Sequence, residues 1–367
     1  MSRVMDRVPL PVQGAALHAV YALPRPLRRL IAGPPIRRDG LELALDAQLL
    51  LRMLALTDTN LGGGTPADAR AQLELRRDLV GPGVTGVRTR DLDIPSEAGD
   101  PVPARLYEPV SLAPGSPLLV YFHGGGWVIG SIETHDSTCR YLARNAQVRV
   151  LSVGYRLAPE HHFPAAAQDA LTAFRFAAHN AEALGADSSA IAIGGDSAGA
   201  NLAASVCLQT VQTMAKGPRP VFQLLFYPAT DGTTRRRSRD LFADGFFLTD
   251  DDMTWFLDHY CPDVDMRADP RLSPLLAGDL RGLPPAYVAT AGFDPLRDEG
   301  NAFADRLREA GVPVVKRQHD DLIHGFVSFV NLGMRFREAV SEAAGALRTG
   351  LALRSRANVV DLFRPTA

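Results

Sequence analysis

The sequence predicts an α/β fold: a mostly parallel central sheet of about eight strands, helices on both faces, and a helical cap over the strand ends. Three observations lead there. From residue 118 onward, short apolar β-branched runs alternate with helix-prone stretches, as strands buried on both faces do. Just before them, "VRTRDLDIP" and "VPARLYEP" alternate polar and apolar residues like a half-buried hairpin. The segment 229–285 is too long for a simple crossover and contains a helix signal of its own.

Taken in order, residues 1–85 are helix-prone, with "LELALDAQLLLRMLAL" (41–56) the strongest periodic run. Its leucines fall on more than one face, which suits a helix sandwiched between core and substrate. "GGGTP" (62–66) and "VGPGVTG" (80–86) break this region. After the hairpin come the strands "LLVYF" (118–122), "VRVLSV" (148–153), "AIAI" (190–193), "FQLLFY" (222–227), "AYVAT" (286–290) and "PVVKRQH" (313–319). Helices are expected over 165–184 and 299–311, and over "TDDDMTWFLDHY" (249–260), where Thr249 is a plausible N-cap with acids in the first turn. The organisation that follows is an N-terminal helical cap region (1–85) and an α/β body (86–228 and 286–352). An insertion (229–285) contributes to the cap, and a tail occupies 353–367.

Composition narrows the function. At 367 residues, with 46% hydrophobic and 22% charged, the chain can bury a sizeable core. A net charge of −2 supplies no bulk field for nucleic acid or an anionic membrane. Cys139, Cys207 and Cys261 form no CxxC pair and no zinc spacing, which points to a reducing cytoplasm. His135 and Cys139 stand at i,i+4, read as neighbours on a helix surface. Arg3 and Arg7 precede a weak apolar stretch, read as an amphipathic cap helix in preference to an export signal. "LPRPLRRLIAG" (23–33) places arginines beside apolar residues, which suits a membrane surface or, the favoured reading, a solvated cap helix.

The chemistry centres on "GGDSAGAN" (194–201). Ser197 lies between Gly195 and Gly199, after a strand and before a helix. A sharp turn that lifts a serine clear of a sheet brings backbone against backbone, so residues without Cβ must flank it. Ligands in open α/β sheets bind beyond the carboxyl ends of the strands. Asp294 and His324 also follow strands there, giving the chain order Ser, Asp, His. An imidazole can take the serine proton and return it to a leaving group, while a carboxylate fixes the imidazole tautomer. His319 and Asp298 are the alternatives. His319 ends a strand while His324 sits in a loop, and Asp298 suits a salt bridge or a helix N-terminal charge. "HGGGW" (123–127) follows the strand "LLVYF" and reads as a loop that points backbone N–H groups at a developing oxyanion. Gly125 and Gly126 are the preferred donors, with Ala198 N–H as the third, and His123 anchors the loop.

With these residues on the page, the chain resembles the hormone-sensitive lipase family of α/β-hydrolases, in its GDSAG branch. The resemblance rests on "HGGGWVIGS" (123–131), "YRLAPE" (155–160), "FPAAAQD" (163–169), "GDSAGANLAA" (195–204), "FFLTDDDMTWF" (246–256), "DPLRDE" (294–299) and "HGF" (324–326), in order across about residues 85–350. It implies the α/β-hydrolase fold and hydrolysis of small carboxylic esters, with no metal and no cofactor and with a helical cap over the site. It also implies that "YRLAPE" is mainly scaffold. The substrate is a small molecule and no nucleic acid is expected; a homodimer is compatible with the sequence. Phe246, Phe247, Trp255 and Phe256 interleaved with Asp250, Asp251 and Asp252 suit a small enclosed pocket, so short- to medium-chain esters are expected. The same triad would serve lactones, amides or carbamates, or a membrane-associated lipase. A non-catalytic ligand-binding protein is disfavoured because all three triad residues are present.

Overall fold

The computed structural model describes residues 10–55, 61–77, 84–97, 99–213 and 217–362. Its main sheet has eight strands: β1 (Val87–Ile94), β2 (Val102–Pro109), β3 (Ser116–Phe122), β4 (Arg149–Val153), β5 (Ala186–Asp196), β6 (Gln223–Phe226), β7 (Ala286–Phe293) and β8 (Val314–Ile323). Their spatial order is β8-β7-β6-β5-β3-β4-β2-β1. Strands β3 to β8 pair in parallel, while β2 runs antiparallel to both β1 and β4. Every residue of β4, β6 and β7 is buried, so continuous apolar runs occupy the interior, while β8 at the edge alternates over its first half.

The helices are α1 (Leu10–Ala22), α2 (Arg25–Ala32), α3 (Leu45–Leu54), α4 (Pro66–Arg77), α5 (Asp136–Ala146), α6 (Ala165–His179), α7 (Ala198–Thr213), α8 (Arg237–Leu241), α9 (Asp250–Tyr260), α10 (Arg297–Glu309) and α11 (Met334–Leu362). The alternation of β3 divides the core between the two faces of the sheet. Leu118, Val120 and Phe122 join a cluster with Phe174 of α6, Leu202 of α7 and Phe303 of α10. Leu119 and Tyr121 join the other, with Leu142 of α5 and Phe336 of α11. Each such side chain contributes roughly 1.5–3 kcal/mol through burial.

Several expectations need correction. Residues 320–323 ("DDLI"), expected as loop between the strand 313–319 and His324, are strand, because β8 runs on to Ile323 with a register shift between His319 and Ile323. His319 therefore lies inside β8 and does not end it. Helix α6 stops at His179, five residues before the expected end, where the Asn180 side chain bonds to Phe176 O. A two-strand hairpin, Arg37–Arg38 with Leu41–Glu42, precedes α3. Helix α3 itself packs on the body: Ala44 N donates to Asp321 O of β8, and Asp46 Oδ2 accepts from Arg335 N of α11. Its Ala47 and Leu50, with Leu43 just before it, join the core cluster on the α5 and α11 face. Residues 353–362, expected as a separate tail, continue α11, while 363–367 lie outside the described residues. Arg3 and Arg7, expected in an amphipathic cap helix, also lie outside them.

Helix α2 is largely exposed, as a solvated helix would be, but Arg28 and Arg29 do not form its solvent face. Arg28 turns inward to Asp46 Oδ1 (2.6 Å) and Arg29 to Gln48 Oε1 (3.0 Å), leaving Leu27, Leu30 and Ile31 exposed. No helix among the described residues is long and apolar enough to cross a membrane.

Candidate active site

The elbow is built by close backbone packing. Ser197 stands between β5 and α7 with φ of +55°, a left-handed conformation that costs an ordinary side chain energy and is held by its surroundings. Its N–H donates to Phe226 O at 2.9 Å, and its carbonyl accepts from Asn201 N at 3.0 Å. A Cβ on Gly195 would lie 2.5 Å from Phe122 O, and one on Gly199 would lie 2.0 Å from the same atom. Only glycine permits this approach of the elbow to the end of β3.

The strands β7 and β8 bring the other two residues to it. His324 Nε2 lies 3.0 Å from Ser197 Oγ, and His324 Nδ1 lies 2.9 Å from Asp294 Oδ2. Asp294 is fully buried, and its second oxygen accepts Leu296 N at 2.8 Å, so the carboxylate both shapes the turn into α10 and faces the imidazole. The alternatives sit elsewhere. His319 is buried beside Phe326, with Nδ1 3.2 Å from Arg335 Nη2. Burial, with Arg335 adding to it, pushes the His319 imidazole down to about 4. Asp298 accepts Ser238 N and pairs with Arg297 in the first turn of α10.

The "HGGGW" loop lies against the elbow. Gly125 and Gly126 adopt φ of +116° and +58°. A Cβ on Gly125 would lie 2.2 Å from Ile129 O, and one on Gly126 2.2 Å from Cγ of Phe256 in α9. Both glycines line the same pocket as Ser197, His324 and Ala198. Ala198 is the first residue of α7, whose N–H has no partner within the helix. His123 stacks on Tyr155 at 4.3 Å, and Tyr155 Oη donates to His123 O at 2.7 Å. Burial holds the His123 imidazole down at about 3, so it is neutral across the working range.

A buried polar cluster beneath this loop went unread in the sequence. Asp196 Oδ1 accepts from Tyr121 Oη (2.7 Å) and Gly124 N (3.0 Å) and lies 3.4 Å from His135 Nε2. Burial alone would raise the Asp196 carboxyl, but His135 and Tyr121 outweigh it and hold it below the usual range. His135 and Cys139 are thus both buried and are not neighbours on a helix surface; His135 lies at the N-cap of α5, and Cys139 faces the core. No sequence spacing links residues 121, 135 and 196; the parallel pairing of β3 with β5 brings Tyr121 to Asp196, and the start of α5 brings His135 to the same carboxylate.

The cavity above Ser197 measures about 130 Å³. Leu61 and Leu73 of the N-terminal region and Leu248, Met253, Phe256 and Leu257 of the insertion supply apolar wall. Among the described residues none from 41–55 reaches it, so α3 is not the helix between core and substrate. Phe247 and Phe256 line the cavity as expected, whereas Phe246 packs on Phe242 and Phe293. Thr249 and Asp252 cap α9 reciprocally, and Asp250 pairs with Arg235 and Arg239. Glu299 also lines the cavity, a position that its place in "DPLRDE" does not announce.

Comparison with known proteins agrees with this geometry. Residues 119–328 match a family described as alpha/beta hydrolase fold. The chain is 44% identical to the carboxylic ester hydrolase LipN of Mycobacterium tuberculosis (strain ATCC 25618 / H37Rv), covering 90% of this chain and 89% of that protein. It is 40% identical to the ethyl acetate hydrolase of Pseudomonas putida over 65% of this chain and 75% of that one. Among solved structures, ester-hydrolase EH1AB1 from the metagenome of Lake Arreo, complexed with a derivative of bipyridine phosphonate, superposes with a TM-score of 0.77. It shares 42% identity and spans 84% of this chain and 99% of that one. Fold, site order and sequence likeness converge, and the chain belongs to the α/β-hydrolase family, in its hormone-sensitive-lipase-like branch of carboxylic ester hydrolases.

Proposed function

We propose that this carboxylic ester hydrolase works through an acyl-enzyme on Ser197 and takes short- to medium-chain esters. The observation that carries the reading is the unbroken hydrogen-bonded chain Ser197–His324–Asp294 opening onto a cavity edged by Gly125 and Gly126. His324 Nε2 takes the Ser197 proton as Oγ attacks the ester carbonyl, and returns it to the departing alkoxide. Asp294 holds the imidazole in the tautomer with hydrogen on Nδ1 and stabilises the imidazolium. The N–H groups of Gly125, Gly126 and Ala198 receive the oxyanion, an interaction worth most in the transition state. Water then repeats the sequence and releases the acid.

The roof over this chemistry is assigned to the N-terminal region and the 229–285 insertion, supported by Leu61, Leu73 and Phe256 in the cavity wall. Short acyl groups are supported by that apolar enclosure and by the likeness to an ethyl acetate hydrolase. Three buried free thiols suit a reducing compartment such as the cytoplasm. The test is Ser197→Ala with p-nitrophenyl butyrate. Turnover should fall by several orders of magnitude while the unfolding midpoint stays put, and wild-type rates in the variant would end the reading.

A further inference from the structure

One carboxyl in the cavity wall has no part in the reaction above. Glu299, in the first turn of α10, is 5% exposed. Its Oε1 accepts from Thr230 N (2.6 Å) and Asp231 N (3.2 Å), at the start of the insertion. Oε2 has no protein partner among the described residues, and the residue lines the cavity shared with Ser197 and His324.

The neighbouring charges leave it uncompensated. Asp231, across the turn after β6, and Asp294, at the end of β7, both disfavour a carboxylate at this point. The nearby cations are engaged elsewhere: Arg236 with Asp231, Arg239 with Asp250, and Arg297 with Asp39 and Asp298. Burial, helped by the two acids, raises the Glu299 carboxyl to about 8 even though the Thr230 and Asp231 amides pull the other way. Near neutral pH the group keeps its proton. Two amide N–H groups occupy Oε1, so the proton sits on Oε2, a donor on a residue that lines the cavity above Ser197. A site that presents such a donor rejects ligands that leave it unpaired.

We propose that Glu299 is a specificity-determining residue whose Oε2–H donates to an acceptor oxygen on the ester, away from its scissile carbonyl. The favoured class is then esters carrying a keto, ether or hydroxyl oxygen, over hydrocarbon esters of the same length. This rests on the ester-hydrolase reading above. It also has a sign in pH: the neutral acid donates below about 8, and the carboxylate formed above it cannot donate.

Matched pairs test it. kcat/KM is measured for p-nitrophenyl 5-oxohexanoate against p-nitrophenyl hexanoate, and for 2-methoxyethyl acetate against butyl acetate, at pH 6.5 and 9. The two pairs place the extra oxygen on the acyl and the alcohol side. In the wild type one pair should show a preference for oxygen of about tenfold at pH 6.5, mostly lost at pH 9. Glu299→Gln keeps an acceptor for the two amides and an N–H donor that does not titrate, so its ratio should be the same at both pH values. Glu299→Met should lose the preference at both; if it does not fold, the wild type and Glu299→Gln decide. A wild-type ratio that is flat from pH 6.5 to 9, or equal to that of Glu299→Met, overturns the proposal. Ser197→Ala run alongside reports separately on the underlying reaction, since its failure to lose turnover would sink that reading whatever the ratios.

Discussion

Gly199→Ala is the perturbation most directly worked from the structure. The added methyl would lie 2.0 Å from Phe122 O and 2.6 Å from His123 O, both backbone atoms that no rotamer change can move. Restoring a contact near 3.0 Å needs about 1 Å of separation between the elbow and the end of β3. Overpacking of this kind costs roughly 1–3 kcal/mol, and a backbone obstacle puts it at the upper end. With about 2.1 cal/mol/K per residue of unfolding entropy, 3 kcal/mol lowers the Tm of this chain by about 4 °C. The same 1 Å separates Ser197 from the loop carrying Gly125 and Gly126, and misplacement on that scale costs about 100-fold in rate. The assay is kcat/KM on p-nitrophenyl butyrate beside a thermal melt. Gly345→Ala is the control: it lies within α11 with open space around its Cβ, so it should gain roughly 0.5–1 kcal/mol and leave the rate alone. A folded Gly199→Ala protein within threefold of wild-type kcat/KM would refute the claim that this contact sets the elbow against the donor loop.

Asp294→Asn should keep the turn bond to Leu296 N but present the wrong partner to His324 Nδ1, cutting kcat by about 10⁴ with little change in KM; steady-state kinetics on one chromogenic ester check this. Across p-nitrophenyl esters from acetate to palmitate, kcat/KM should rise by up to about 0.8 kcal/mol for each methylene that the apolar wall buries. It should then turn over within about eight carbons, and a maximum at palmitate with activation at an oil–water interface would contradict the enclosed cavity.

The parts legible in the sequence were those fixed by local rules. The paired glycines around Ser197, the apolar β-branched runs, and the capping residues of α9 each act within a few positions, and each is found where it was read. The Asp294 carboxylate does two things at once, shaping the turn through Leu296 N with one oxygen and meeting His324 with the other. What escaped depends on distant segments meeting. The polarity of "DDLI" reads as loop, yet an edge strand exposes alternate residues and so tolerates Asp320 beside buried Leu322. The cluster of Tyr121, His135 and Asp196 needs β3 beside β5, which no pattern in either strand announces. Likewise the leucines of α3 fit equally against a substrate or against β8 and α11, and only the tertiary bonds of Ala44 and Asp46 choose the latter.

The insertion's point of entry has a consequence for how such a protein can diversify. Residues 229–285 leave the sheet from β6 and return in β7, and β6 lies between the strand bearing Ser197 and the strand bearing Asp294. Chain added there starts and finishes beside the reacting groups, while its two ends stay pinned by a sheet that need not change. For a flexible loop, doubling the length between fixed ends adds only about 0.6 kcal/mol of closure entropy. Length added in the exposed turns between its buried residues therefore costs folding little, while changes at Leu248, Met253, Phe256 or Leu257 alter the wall of the cavity above Ser197. The rigid strands inherit the reaction, and the tethered segment is free to inherit a different diet.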